Sequence, residues 1–254
     1  MRVSLSEIWG TAFIFLRQNA GLLLPLALAL LAIGRFGFDR AIFGVTKDGG
    51  DVLVVAIMAV SMVMVVTSLA AVRAIVLIPD ISVGEAIALG FRRSPRLLTV
   101  AGALALLQLA ATLPVMRAVQ AGGAEQMEPV MLMTCLGGIL LYYYFSARLL
   151  CFSPIIIDQD LPLGEALTLS WKQTAGNHFG LFGMLILVQM AGDLLGISVG
   201  AVLLGLLTPL ESFMAEPGLA NMLALFGATM MMSLVSTALA VFSALFYRRV
   251  SVAT

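Results

Sequence analysis

Six stretches of the chain are each long and apolar enough to cross a lipid bilayer, and no other feature restricts its fold so severely. A spanning helix takes about 20 predominantly apolar residues. The stretches 20–38, 52–78, 97–117, 129–152, 179–207 and 219–247 all meet that length. Hydrocarbon offers no water to backbone N–H and C=O groups, so each stretch is expected to be a helix that closes its own hydrogen bonds. Composition agrees. Of 254 residues, 61% are hydrophobic and 11% charged, against about 45–50% and about 25% in soluble domains. So little polar surface cannot cover one water-facing core, which excludes a soluble globular enzyme. Disorder is excluded by the same hydrophobicity.

Fourteen basic residues balance fourteen acidic ones, so there is no electrostatic footprint for nucleic acid. The stretch from Leu22 to Ala32 has the look of a signal-peptide core. Nineteen residues with an amphipathic pattern precede the span, however, so it is read as a retained helix. Orientation follows from lysine and arginine. With the N-terminus inside, ten basic residues fall on the cytoplasmic side: Arg2, Arg17, Arg73, Arg92, Arg93, Arg96, Arg148, Lys172, Arg248 and Arg249. Four fall outside: Arg35, Arg40, Lys47 and Arg117. Both termini are therefore expected in the cytoplasm of a bacterial inner-membrane protein, with segments 39–51, 118–128 and 208–218 outside.

The chain also repeats itself. SLSEIWGTAF from Ser4, SVGEAIALGF from Ser82 and PLGEALTLSW from Pro162 superpose without gaps on Glu7, Glu85 and Glu165, and Phe13, Phe91 and Trp171 follow six residues later. Arg73 precedes Pro79 by six residues, as Arg148 precedes Pro154. In the first segment Leu5, Ile8, Trp9, Ala12, Phe13 and Leu16 form one stripe at helical spacing. Ser4 with Glu7, and Ser82 with Glu85, match the S-x-x-E capping box, while Pro162 suits the start of a helix. These segments are too short to span and are expected to lie in the inner interface on their aromatic anchors. The expected fold is an all-α membrane protein: six transmembrane helices as three pseudo-repeated hairpins (about 4–80, 82–155 and 162–254), each preceded by a short interfacial amphipathic helix, in a single integral membrane domain over 1–254.

The run Ala147-Arg148 through Pro154, then Gly164-Glu165-Ala166, Ser170-Trp171-Lys172 and Asn177, resembles the membrane domain of bacterial glycerophosphoryl diester phosphodiesterases and their stand-alone multi-pass relatives. A weaker copy runs from Val72-Arg73 through Pro79 to Gly84-Glu85-Ala86. The soluble catalytic barrel of that family, with its histidines and metal-binding acids, has no counterpart here. The resemblance implies a membrane module, not a hydrolase.

Candidate chemistry is sparse. His178 is the sole histidine, and Cys135 and Cys151 lie sixteen residues apart on what reads as one helix, too far to bridge. Fifteen methionines, among them Met58, Met62 and Met64 and the run Met230 to Met232, raise the question of Cu(I). Three consecutive residues point around a helix, so packing is the better account, and no cofactor or metal is expected. Asp158 and Asp160 form a D-x-D pair, read as a solvated loop in preference to a divalent-cation site. Glu7, Glu85 and Glu165 are read as caps. Arg17, Arg73, Arg92, Arg93, Arg96, Arg148 and Lys172 are read together as a basic, lipid-facing cytoplasmic surface, where anionic headgroups are the natural partner. Gly192, Gly196 and Gly200 mark a close helix–helix seam, within the chain or with another membrane subunit.

Four polar residues lie inside the spans. Gln108 and Gln189 sit about 11 residues in, about 16 Å deep, where amides act as glue between helices or contact a substrate. Arg35 and Asp193 sit at about 22 and about 21 Å. They are expected to form a neutralised pair, with two alternatives: a snorkelling arginine beside a protonated or helix-bonded acid, or a transport carboxylate. The leading functional expectation is a non-enzymatic module that binds, organises or moves lipids or a small amphiphile at its basic face. A secondary transporter with a polar site around Asp193 follows, and a lipid-headgroup enzyme comes last. Single cysteines at positions 92 and 172, in a background lacking Cys135 and Cys151, are expected to resist an impermeant maleimide added from outside. Labelling there would reverse the orientation.

Overall fold

The computed structural model describes residues 3–48, 52–121, 129–211 and 218–252, and among these there are helices and no strand. The expected outer segments 39–51 and 118–128 are described only in part, as is 208–218; Arg2 lies outside the described residues, and so do the side chains of Lys47 and Arg117. Six helical segments are long and apolar enough to cross a membrane. The first comprises α2 (Ala20–Leu26), a π-helical stretch (Ala27–Ala32) and α3 (Ile33–Asp48). The others are α4 (Val52–Leu77), α5 (Val83–Ala121), α6 (Pro129–Arg148), α9 (His178–Glu211) and α10 (Leu219–Ser251). An even number of spans brings both termini to one end of the bundle.

Short helices gather at that end: α1 (Leu5–Gln18), α7 (Phe152–Gln159) and α8 (Leu163–Thr174). Ser4 caps α1 by accepting the Glu7 N–H at 3.5 Å. The second box is reciprocal: Ser82 Oγ accepts the Glu85 N–H at 3.3 Å while Glu85 Oε2 accepts the Ser82 N–H at 2.9 Å. In contrast to the sequence expectation, this box does not open a separate short helix, because α5 runs unbroken through Pro95. Proline there removes the N–H that the Phe91 carbonyl would have accepted. Ser94 Oγ donates to that carbonyl instead, at 2.8 Å, so the helix continues. After α1 and α8 the chain does break, at Asn19 and Asn177.

The repeated segments pack by their small and apolar residues. Ile8, Ala86 and Ala166, which superpose in the sequence repeat, are all buried, as are Ala12, Gly90 and Ser170. Trp9 of α1 stacks on Phe242 of α10 at 4.8 Å, Gly90 lies against Thr67 and Ala70 of α4, and Ser170 Oγ donates to the Arg148 carbonyl of α6 at 3.0 Å. Two aspartates, Asp80 and Asp160, adopt left-handed backbone (φ 59° and 51°) directly ahead of the second and third repeated segments. Phe13 is 70% exposed, Phe91 63% and Trp171 39%, so these aromatics point away from the core.

α7 corrects the sequence expectations that Asp158 lies in a loop and that both cysteines lie on one helix. The α6 helix ends at Arg148, Cys151 lies in the following turn, and α7 then buries Phe152, Pro154, Ile155, Ile156 and Ile157. Its neighbours are α4, α5, α8 and α10, and the densest core, with Phe242, Phe246 and Tyr247, lies around it. Asp158 and Asp160 are exposed, as expected, but each is bonded. Asp158 Oδ2 accepts the Tyr247 hydroxyl at 2.6 Å, and Asp160 binds Arg93 and Arg96 of α5.

The glycine seam lies within the chain. Gly192 packs on Val235, Gly196 on the Ala228 carbonyl and Met232, and Gly200 on the Ala224 carbonyl, all on α10. A Cβ at Gly196 would come within 3.3 Å of that carbonyl, whereas Gly205 on the same helix has nothing within 4 Å. Gly196→Leu is expected to cost about 1–3 kcal/mol by overpacking, and Gly205→Leu to be close to neutral. Thermal unfolding of both variants in detergent checks this.

Candidate functional site

The polar residues of the spans converge on one cavity of about 540 Å³ within the bundle. That volume lies in the range of small-molecule sites. Each of the six spans contributes to its wall: Arg35 from α3, Arg73 from α4, Gln108 from α5, Tyr142, Tyr143 and Ser146 from α6, Gln189 and Asp193 from α9, and Ser236 from α10. Ser153 of α7 lines it at the termini-bearing end. Along α5 the lining runs from Leu97 to Gln108, about 16 Å at 1.5 Å per residue, so the cavity reaches from one end of the bundle to its middle.

Two arginines are anchored by one helix. Arg35 Nη1 donates to Ser236 Oγ at 2.9 Å, and Arg73 Nε donates to Ser243 Oγ at 2.9 Å. Both hydroxyls donate backwards, Ser236 to the Met232 carbonyl and Ser243 to the Ala240 carbonyl, which turns their lone pairs to the guanidinium groups. The serines are seven residues apart, two turns on one face of α10. Upstream of Arg35 the π-helical stretch adds residues to the turn, and each added residue rotates the remainder of the span by roughly 100°. Such a stretch in a span helps aim Arg35, and π-bulges are frequent at functional sites.

The expected pairing of Arg35 with Asp193 is not formed. Among the described residues the ion pairs are those of Arg93 and Arg96 with Asp160. Arg35 and Asp193 stand on helices separated by α10, which packs against both, and each has a neutral partner. Asp193 Oδ1 accepts from Gln189 Nε2 at 2.8 Å, one turn back on the same helix. That bond also corrects the reading of Gln189 as glue between helices, and Gln108 likewise faces the cavity.

The basic face divides. Arg17, Arg92 and Lys172 are exposed as expected. Arg96 is exposed but bound to Asp160 at 2.6 Å, with Arg93 beside it. Arg73 and Arg148 do not face lipid. Arg73 lines the cavity, and Arg148 is only 6% exposed, its guanidinium carbon 4.1 Å above the Trp171 ring. Arg73 stands one turn inside the end of α4 and Arg148 is the last residue of α6, and neighbouring helices cover both. Trp171 is thus a cover for Arg148 as well as an exposed aromatic, at cation–π distance.

Sequence reasoning missed Tyr142, Tyr143, Ser146, Ser153 and Ser236. A signal existed on α10, where Thr229, Ser233, Ser236, Thr237 and Ser243 recur at helical spacing as a polar stripe in an apolar span. With Arg35 and Asp193 not paired to each other, the destabilisations of Arg35→Gln and Asp193→Asn are expected to add in the double variant within about 0.5 kcal/mol. Denaturation of the three variants in detergent measures the coupling, and partial restoration in the double would mean a pair.

No curated protein and no solved structure gives a match to the chain. Within the cavity wall, the family match covers the α6, α9 and α10 residues, while Arg35, Arg73 and Gln108 lie ahead of it. Residues 127–252, about half of the chain, match the family model for the membrane domain of glycerophosphoryl diester phosphodiesterase, the family that the motifs around Arg148 and Trp171 resemble.

Proposed function

We propose that this multi-pass protein is a non-enzymatic module of the bacterial inner membrane, its termini cytoplasmic, that binds and moves an amphiphile whose headgroup enters the polar cavity. The reading rests on one observation: Arg35, Arg73, Asp193 and two glutamines, from four spans, line a single cavity that extends toward the termini-bearing end. Charged groups inside a membrane are costly and face the bundle when they serve a ligand path. Exposed Arg17, Arg92 and Lys172 at that end would gather anionic lipid, at about 1 kcal/mol for each basic residue near the surface. The bundle is read as three related hairpins, supported by the shared burial of Ile8, Ala86 and Ala166 and the matched left-handed Asp80 and Asp160.

Ion-coupled secondary transport is the second reading, favoured by the exposure of Asp193 to the cavity with a neutral amide as its hydrogen-bond partner. Against an enzyme stands the wall chemistry, in which Asp193 is the one carboxylate among the described lining residues. Proteoliposomes carrying a fluorescent short-chain phospholipid test the proposal. The wild type is expected to speed its passage between leaflets over protein-free vesicles, and Arg35→Gln to lower that rate about tenfold, the scale of one hydrogen bond to a charge. A wild-type rate equal to that of empty vesicles would overturn movement. An imposed pH gradient that drives the passage, and fails to in Asp193→Asn, would favour the second reading.

A further inference from the structure

We infer that the cavity selects a zwitterionic headgroup, with the anionic phosphate at Arg35 and the cationic ammonium at Asp193. This rests on the amphiphile reading above and names its ligand class. The cavity carries opposite charges that do not meet. Arg35 and Asp193 each stand fifteen residues into their spans from Ala20 and His178, about 22 Å deep by helical rise. They face the same cavity from helices on either side of α10, and they do not pair. Opposite charges in a low-dielectric space attract strongly, so such a pair closes up unless each is held elsewhere. Ser236 holds Arg35 and Gln189 holds Asp193. Neutral hydroxyl and amide groups fix the geometry of these charges without cancelling them, and Asp39, one turn on from Arg35 and in electrostatic contact with it, does not line the cavity.

A ligand that cancels both must itself carry both signs. A purely anionic headgroup satisfies Arg35 but brings like charge to Asp193, and like-charge contacts are costly. A purely cationic one meets the reverse conflict at Arg35 and Arg73. An ammonium group separated from a phosphate by a short carbon link places one sign at each wall. Tyr142 and Tyr143, packed edge to face at 5.2 Å on the same wall, add aromatic surface suited to a cation. Arg73 leaves one positive charge in excess toward the termini-bearing end, which orders events: the phosphate is attracted first, and the ammonium reaches Asp193 deeper in. Ser153, whose buried Oγ has no hydrogen-bond partner, lines that end of the cavity and is free to donate to a phosphate or ester oxygen.

The test titrates the detergent-solubilised full chain with phosphatidylethanolamine and, separately, phosphatidylglycerol of the same acyl chains, and counts bound lipid by native mass spectrometry. The wild type is expected to bind phosphatidylethanolamine about tenfold more tightly, the worth of one charge-assisted contact. Asp193→Asn keeps an acceptor for Gln189 and is expected to erase the preference by weakening phosphatidylethanolamine alone. Arg35→Gln is expected to weaken both lipids. If the Asn variant does not fold, the wild-type preference decides by itself. Equal binding of the two lipids by the wild type, or an unchanged preference in folded Asp193→Asn, overturns the zwitterion inference and leaves the amphiphile reading intact. Binding of neither lipid overturns the amphiphile reading itself. Soluble phosphoethanolamine that displaces the lipid at equal concentration would support the headgroup chemistry and overturn the need for acyl chains.

Discussion

A polar group placed in hydrocarbon has only the protein to bond with, and the architecture of this chain follows from where it finds partners. The backbone finds them inside each helix, so the spans are helical. The hydroxyls of α10 find them at carbonyls one turn back, and with their remaining lone pairs they hold Arg35 and Arg73. α10 is therefore the post of the bundle, gripping α9 through the glycine seam on one side and α3 and α4 through arginines on the other. Remove its hydroxyls and two guanidinium groups lose the bonds that keep them within the protein.

The two ends of the molecule differ for the same reason. At the termini-bearing end, short helices and the α7 wedge bury large side chains, Asp158 ties α7 to α10, and Asp160, just after α7, binds α5. The Asp160 link joins the second repeated segment to the third. Farther into the membrane, the spans expose long apolar side chains such as Leu187, Leu194 and Ile197 to lipid, and packing gives way to the cavity.

Much of this was legible from residues alone, because membrane thickness and helix geometry leave few options. The apolar runs predict the spans to within a few residues at most ends, and α5 extends past its expected start because Ser94 replaces the hydrogen bond that Pro95 removes. The capping boxes at Ser4 and Ser82, the seam at Gly192, Gly196 and Gly200, and the depth of Arg35 and Asp193 all depend on spacing along one helix. Such spacing can be counted without knowing where any other helix lies.

Direction across helices cannot. α4 is apolar nearly all round, so nothing in its periodicity says that Arg73 turns to Ser243 and the cavity instead of to lipid headgroups. Arg148 is covered by Trp171 because α8 folds back over the end of α6, a contact between residues 23 apart. Arg35 and Asp193 have the right depth and opposite signs, yet α10 stands between their helices and each charge has a nearer neutral partner. Residue order is enough to establish a six-span helical membrane protein, where its helices cap and which glycines permit close approach. Which charged side chains share a space is settled in three dimensions, because that depends on how whole helices are rotated and ordered around α10, and a rotation of one helix leaves its sequence pattern unchanged.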